Sequence, residues 1–178
     1  MVAGYPDHMT TRSPIEDALA HHVWATLLII DTCAKLSPEQ LETTVPGTFG
    51  SIIETVRHTV GADSWYLFRL AGDEHPPIEE DGMDLAELRA AMERFGQGWS
   101  AVLAGNPDPD EVITVVRDDG SETHASNGLR LAQVLHHGTD HRSQICTALT
   151  TLGIEPPEVD AWAWGQQTGR VREVPPSS

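Results

Sequence analysis

Four stretches of this chain carry apolar residues at helical spacing, and each begins with a helix start signal. In the first, Ser13 is placed to cap a helix, Pro14 suits its first position and Glu16 completes a capping box. Apolar residues then recur three or four positions apart, at Ile15, Leu19, Val23, Leu27 and Ile30. A helix with one apolar stripe has to bury it against other helices. The pattern therefore predicts an all-α fold, a four-helix bundle.

The other start and stop signals set the remaining helix bounds. Gly72 and Gly153 are placed as terminators of the second and fourth long helices, and Asn127 is expected to cap the fourth. The four long helices are predicted at 13–36, 51–71, 84–104 and 127–153. A further start signal at 37–40 is expected to lead into only a short turn, and a short helix is predicted at 159–167.

Residues 111–125 have a different pattern. Val112, Ile113, Val115 and Val116 are β-branched, and the segment 118–121 (Asp-Asp-Gly-Ser) is a turn signal. We expect a short β-hairpin or extended excursion before the last bundle helix. The 178 residues suit one domain, which we place at 13–170 between an N-terminal tail (1–12) and a C-terminal tail (171–178).

Charge restricts the partners. The chain has 27 acidic and 11 basic residues, a formal net charge of −16. Phosphate backbones and anionic membranes repel such a surface, so we expect neither nucleic acid nor a membrane as a partner. No apolar run reaches the ~18 residues of a membrane span, and Met1 to Arg12 lacks the pattern of a secretion signal. The expected location is cytoplasmic, with Cys33 and Cys146 as reduced, buried thiols.

Two histidines of the fourth helix are spaced for metal binding. His137 and His141 are four residues apart, which places them roughly 40° apart around the axis and ~6 Å apart along it. Both imidazoles can reach one ion, although two surface histidines would show the same spacing. His58 lies within an apolar stretch of the second long helix, where it is either a hydrogen-bonded core residue or a third ligand.

Other aromatic and polar residues have weaker interpretations. His136 is ~100° from His137 on the helix, so we expect it to be structural or to contact the hairpin. His21 and His22 are expected at partly exposed positions. Trp162 and Trp164 either cover the end of the bundle or line a substrate mouth. The scattered glycines are interpreted as helix-end residues, and no nucleophile elbow, phosphate-binding glycine loop or H-E-x-x-H motif is present.

The fourth predicted helix contains a sequence that resembles a known motif. Residues 136–144, His-His-Gly-Thr-Asp-His-Arg-Ser-Gln, resemble the H-x-x-x-H-R-x-Q motif in the last bundle helix of the DinB/YfiT-like superfamily. Segment 50–58 is similar to the part of that family that supplies its first histidine, and residues 22–25 (His-Val-Trp-Ala) are similar to its first helix. The resemblance covers about 14–153. Ser143 departs from it, because glycine is frequent there.

The resemblance implies a metal site and several possible activities. It implies a four-helix bundle, commonly homodimeric, in which His58, His137 and His141 hold zinc or, alternatively, nickel, iron or manganese. Characterised members include mycothiol- and bacillithiol-linked transferases and a maleylpyruvate isomerase. Our first hypothesis is a transferase that uses a low-molecular-weight thiol and a small electrophilic substrate. A metal-dependent hydrolase of a small molecule and a non-catalytic metal-binding or stress-response protein are the alternatives.

Three further residues of the motif are candidates for supporting roles. Asp140 and Gln144 could orient the histidines or the substrate. Arg142 could recognise an acidic substrate or pair with a surface acid.

Overall fold

The computed structural model of this protein describes residues 12–174 and 176. The predicted N-terminal tail therefore lies outside the described residues except for Arg12, as do residues 175, 177 and 178 of the predicted C-terminal tail. The described chain is mostly helical with one two-stranded sheet, as predicted. Its elements are α1 (Pro14–Cys33), α2 (Pro38–Leu41), α3 (Ile52–Ala71), α4 (Leu85–Ala104), β1 (Val112–Val116), β2 (Glu122–Ser126), α5 (Asn127–Thr151) and α6 (Ala161–Gln167), with 3₁₀ turns at Gly72–Glu74 and Glu80–Gly82.

Local side-chain hydrogen bonds define where the first four helices begin. Helices α1, α2, α3 and α4 all begin with a complete capping box, in which the cap side chain and the residue three positions later satisfy each other's backbone N–H groups. Helix α1 ends at Cys33 rather than near Leu36. The N–H groups of Lys35 and Leu36 bond to carbonyls three residues back, so the chain tightens into turns there.

The cap of α5 is Ser126, not the predicted Asn127. The Ser126 hydroxyl accepts from the Leu129 N–H at 3.3 Å. The Asn127 side chain instead donates to the Asp108 carbonyl at 3.0 Å and to Glu111 Oε2 at 3.1 Å. Asn127 therefore ties the start of α5 to the loop before β1.

The four long helices share one core. Helix α1 packs mainly against α4 and α5, and α3 packs against the same two helices. The side chains of Leu67, Leu88, Met92 and Trp99 are almost completely buried between them. The contact between α3 and α5 brings His58 of α3 to the same interface as His137 and His141 of α5. None of the helices in the described part of the chain combines the length and apolar character that a membrane crossing needs.

The predicted hairpin forms as an antiparallel pair. Val112 lies opposite Ser126 and Val116 opposite Glu122. Gly120 adopts a φ of 81° in the connecting turn, a conformation that favours glycine. Because β2 runs directly into α5, the hairpin lies next to the first turn of that helix.

The two cysteines differ in burial. Both are free, as predicted, but only Cys33 is fully buried, and Cys146 is half-buried. Burial raises the pKa of the Cys33 thiol to about 12, which keeps it protonated and unreactive at neutral pH.

Candidate metal centre

Three histidine side chains meet between α3 and α5. Nε2 of His137 lies 3.1 Å from Nε2 of His58 and 3.2 Å from Nε2 of His141. The three ligand atoms all lie within 4.8 Å of one another. Nitrogens held ~2.0–2.1 Å from a tetrahedral ion are ~3.3 Å apart. The separations therefore fit one divalent ion placed against all three rings.

The environment of His137 and His58 favours the neutral form of both rings. Burial lowers the pKa of His137 to about 4, and repulsion from the neighbouring His141 and His58 acts in the same direction. Burial also lowers the pKa of His58, with a further contribution from His141. A neutral imidazole keeps a nitrogen lone pair, which a metal ligand needs.

Gln144 fixes the proton on His141. Its Oε1 accepts from the backbone N–H of Phe49 at 2.9 Å and lies 3.1 Å from Nδ1 of His141. Because an amide oxygen can only accept, Nδ1 of His141 has to carry the proton. The lone pair of His141 is then on Nε2, which faces the other two histidines.

Phe49 covers one side of the histidine cluster. Its ring stacks on His58 with centroids 4.0 Å apart and planes 8° apart, and it meets His141 edge-on at 5.6 Å. The ring is nevertheless 55% exposed. Phe49 was not predicted from the sequence, where its one signal is a large aromatic residue two positions before the Ser51 cap.

Replacing Gln144 with leucine should weaken divalent-metal binding by ~10- to 100-fold, the usual effect of removing the partner that orients a metal-bound histidine. The His141 ring would lose the acceptor for its Nδ1 proton, and either nitrogen could then be protonated. Competition with a chromophoric chelator would measure the affinity. Gln133→Leu, an exposed position of the same helix, is the matched control. Equal affinities of the two variants would contradict the role of Gln144.

A buried polar network lies beside the histidine cluster and includes His22. The prediction that His22 is partly exposed was wrong, because only 1% of it is exposed. Arg142 Nη1 donates to Nδ1 of His22 at 3.0 Å, so Nδ1 accepts and the proton is on Nε2. That N–H donates to the Asp63 carboxylate at 2.9 Å. The indole N–H of Trp99 donates to the same carboxylate at 3.2 Å.

Arg142 belongs to this network rather than to the surface. Only 3% of it is exposed, so it does not pair with a surface acid as one interpretation supposed. Besides His22, its guanidinium bonds the hydroxyls of Thr26 and Thr139, both at 3.1 Å. Its burial leaves little surface for contact with an acidic substrate. Burial lowers the pKa of Arg142 to about 10, while the charge of Asp63 opposes that shift.

Gly138 makes the close approach of α1 and α5 possible. A Cβ atom there would overlap the His22 ring and lie 2.9 Å from Nη1 of Arg142. The interpretation of the glycines as helix-end residues is therefore wrong for Gly138. Glycine is needed inside α5 because the ring of His22 fills the space that a side chain would occupy.

Asp63 was also missed, although its position carried a signal. It falls on the buried stripe of α3 with Val56, Val60 and Leu67, three or four residues apart. A carboxylate on an apolar stripe needs a buried partner. The sequence therefore indicates that Asp63 needs a buried partner, but it does not identify that partner as His22.

The remaining candidates do not belong to the group of three converging rings. His136 and Asp140 are exposed, and neither side chain forms a hydrogen bond within the described residues. Both line a surface pocket together with His137. His21 is half-buried, with Nε2 2.8 Å from the Val159 carbonyl, and its ring meets Trp164 edge-on. Trp164 is buried and packs against α1 through His21, whereas Trp162 is 67% exposed.

A polar cavity of about 530 Å³ opens beside His58. Four charged side chains line it, Arg57 with Glu54, Glu80 and Asp81, and Phe49 forms one wall. This volume suits a small molecule. Of the three histidines, His58 lines this cavity, and His137 and His141 do not.

The comparison with protein families covers most of the chain. The family model described as DinB family matches residues 9–170. No curated protein gives a significant match.

Proposed function

This chain belongs to the DinB family, and from that premise we propose that His58, His137 and His141 bind one divalent transition-metal ion at which a low-molecular-weight thiol is transferred to a small electrophile. The observation that carries the proposal is the convergence of three Nε2 atoms, with separations of 3.1 and 3.2 Å. The proton placement on His141 supports it, because it leaves a lone pair on the converging atom.

The ligand set favours a borderline transition metal. Three imidazole nitrogens suit zinc, and also nickel and iron, better than magnesium or calcium, which prefer oxygen. Zinc is our first choice because three protein ligands and one open position form its usual catalytic arrangement. No carboxylate belongs to the ligand set, so the double positive charge of the ion would not be neutralised by its ligands.

The uncompensated charge defines the chemistry available. A divalent ion held by three neutral imidazoles lowers the pKa of a thiol or water that it binds. The protein's own residues would hold the reactants: Phe49 walls one side of the cavity, and Arg57 and Glu80 supply polar contacts near His58. In the transfer, a sulfur–carbon bond forms, the leaving group departs with its electron pair, and the thiol proton passes to solvent.

The proposed transfer can be tested by following thiol consumption. Untagged protein loaded with zinc should consume a thiol such as mycothiol together with a small alkyl or aryl halide, well above the rate of the metal-free protein. Turnover of a small ester with no thiol present would instead favour the hydrolase. Stoichiometric metal without either activity across a thiol and electrophile panel would favour the metal-binding protein. Protein that neither contains nor accepts a transition metal would overturn the proposed function.

A further inference from the structure

Two arginines flank one tryptophan further along the α3–α5 seam. The Arg69 guanidinium carbon lies 4.8 Å from the Trp65 ring centroid, and that of Arg130 lies 5.9 Å from it. Arg130 is only 4% exposed, whereas Trp65 reaches the surface at 36%. We call Trp65, Arg69 and Arg130 the arginine–tryptophan cluster.

No salt bridge balances the positive charge of this cluster in the part of the chain that the structure describes, since neither Arg69 nor Arg130 forms one. The buried Nε atoms of both have no hydrogen-bond partner there, and Arg130 donates only from Nη2 to the Ile113 carbonyl at 3.1 Å. Each guanidinium offers five N–H donors. Two adjacent arginines without a carboxylate are unexpected in a chain with 27 acidic and 11 basic residues.

The contacts that the cluster does make are a poor substitute for an anion. A cation–π contact with Trp65 is weaker than a charge-assisted hydrogen bond to an oxyanion. Burial, and then repulsion from Arg69, lower the pKa of Arg130. An oxyanion between the two guanidinium groups would satisfy the free N–H donors and remove the repulsion.

The position of the cluster relates it to the three histidines. Trp65 follows His58 by seven residues on α3, and Arg130 precedes His137 by seven residues on α5. Seven residues make about two helical turns, ~10.5 Å of axial rise and a rotation within ~20° of the starting face. Trp65 and Arg130 therefore lie on the same helix faces as His58 and His137, ~10 Å further along the interface of α3 and α5. Arg69 lies one helical turn beyond Trp65 on α3.

We propose that the arginine–tryptophan cluster binds an oxyanion, namely the carboxylate of a small molecule whose other end reaches the three histidines. A planar carboxylate matches the fork of a guanidinium, and two arginines can hold it from both sides. The substrate assignment rests on the proposed function, whereas anion binding by the cluster requires no metal. The two parts can therefore be tested separately.

Anion binding can be measured on metal-free, full-length protein by NMR. Titration with acetate should shift the Nε–H signals of Arg69 and Arg130 saturably, with phosphate as a second oxyanion and chloride as the ionic-strength control. The signals of Arg89 and Arg170 should not move, because these residues already pair with Asp31 and Asp17. Absent shifts, or equal shifts at all arginines, would overturn the site.

Variants separate binding from folding. Arg69→Met should weaken acetate binding at Arg130 roughly tenfold, the loss expected for a charge-assisted hydrogen bond. Arg69 is only half-buried, so this variant should fold, and Arg130→Lys provides a second variant that keeps the charge. Arg117→Met, at an exposed hairpin position, is the matched control and should bind acetate like the unaltered protein. An unchanged affinity in Arg69→Met would contradict the proposal.

The substrate assignment is tested with cobalt-loaded protein and a pair of thiols. A mercapto acid whose sulfur and carboxylate are ~10 Å apart, the length set by two helical turns, should alter the cobalt absorption spectrum at roughly tenfold lower concentration than its amide. Arg69→Met should abolish that preference. Equal binding of acid and amide would overturn the substrate assignment. Failure to bind cobalt would count against the proposed function, while the acetate titration would still decide the anion site.

Discussion

Replacing His137 with alanine should abolish tight metal binding and leave the fold intact. Nε2 of His137 lies within 3.2 Å of Nε2 of both other histidines. Its loss therefore leaves only two of the three proposed ligands. Removing an outer partner of a ligand costs ~10- to 100-fold in affinity, and removing a ligand itself should cost more than ~100-fold. Elemental analysis and chelator competition on untagged protein would measure the effect.

The neighbouring residue provides a closely matched control for this variant. His136→Ala removes the same side chain from the adjacent position of α5, where it is exposed and is not one of the three converging histidines. It should bind metal as tightly as the unaltered protein. Helical circular dichroism should be the same for both variants, because His137 is only half-buried. Stoichiometric, tight binding by His137→Ala would show that the three histidines are not the metal site.

Replacing Asp63 with alanine should destabilise the metal-free protein by about 3–5 kcal/mol, the range for breaking a buried charge network on one side. The variant leaves the N–H groups of His22 and Trp99 without an acceptor and Arg142 buried without a counter-charge. Urea unfolding would give the free energy of unfolding, and the slope of that free energy with urea should not change. Metal-free protein is required because bound metal would add stability of its own.

Asp31→Ala is the matched control for the buried pair. Asp31 also pairs with a basic side chain, Arg89, but its own side chain is 47% exposed. Solvent screens that pair, so its loss should change the free energy of unfolding by a small fraction of the Asp63 effect. A double variant, Asp63→Ala with Arg142→Met, should lose less than the sum of the two single losses, because Arg142 would no longer be an uncompensated charge. Similar losses in Asp63→Ala and Asp31→Ala would contradict the role given to the network.

Local sequence signals predicted the helices well because those signals act over a few residues. The capping box at Ser13 forms as the sequence indicated, and the second long helix begins after the predicted residue, Ser51. The one wrong cap, Asn127, failed because its side chain bonds a distant loop through Asp108 and Glu111. A capping preference describes only neighbours along the chain, so it cannot include such a competing partner.

Polar residues were predicted less well for the same reason. A histidine at position 22 has an ordinary surface interpretation until Asp63 and Arg142 are placed on either side of it. These partners are 41 and 120 residues away in the chain. Arg130 is similar, since its burial and its missing counter-charge become visible only after α3 and the hairpin pack around it.

The sequence by itself determined the helical fold and the pairing of His137 with His141, because helical periodicity places residues three and four apart on one face. It brought in His58 only through resemblance to a family. Tertiary packing decided the rest: α3 against α5 set three Nε2 atoms at one point, with Gln144 orienting His141. The buried network around Asp63 and the unbalanced arginines also came from packing, since burial turns a polar side chain into one that requires a partner.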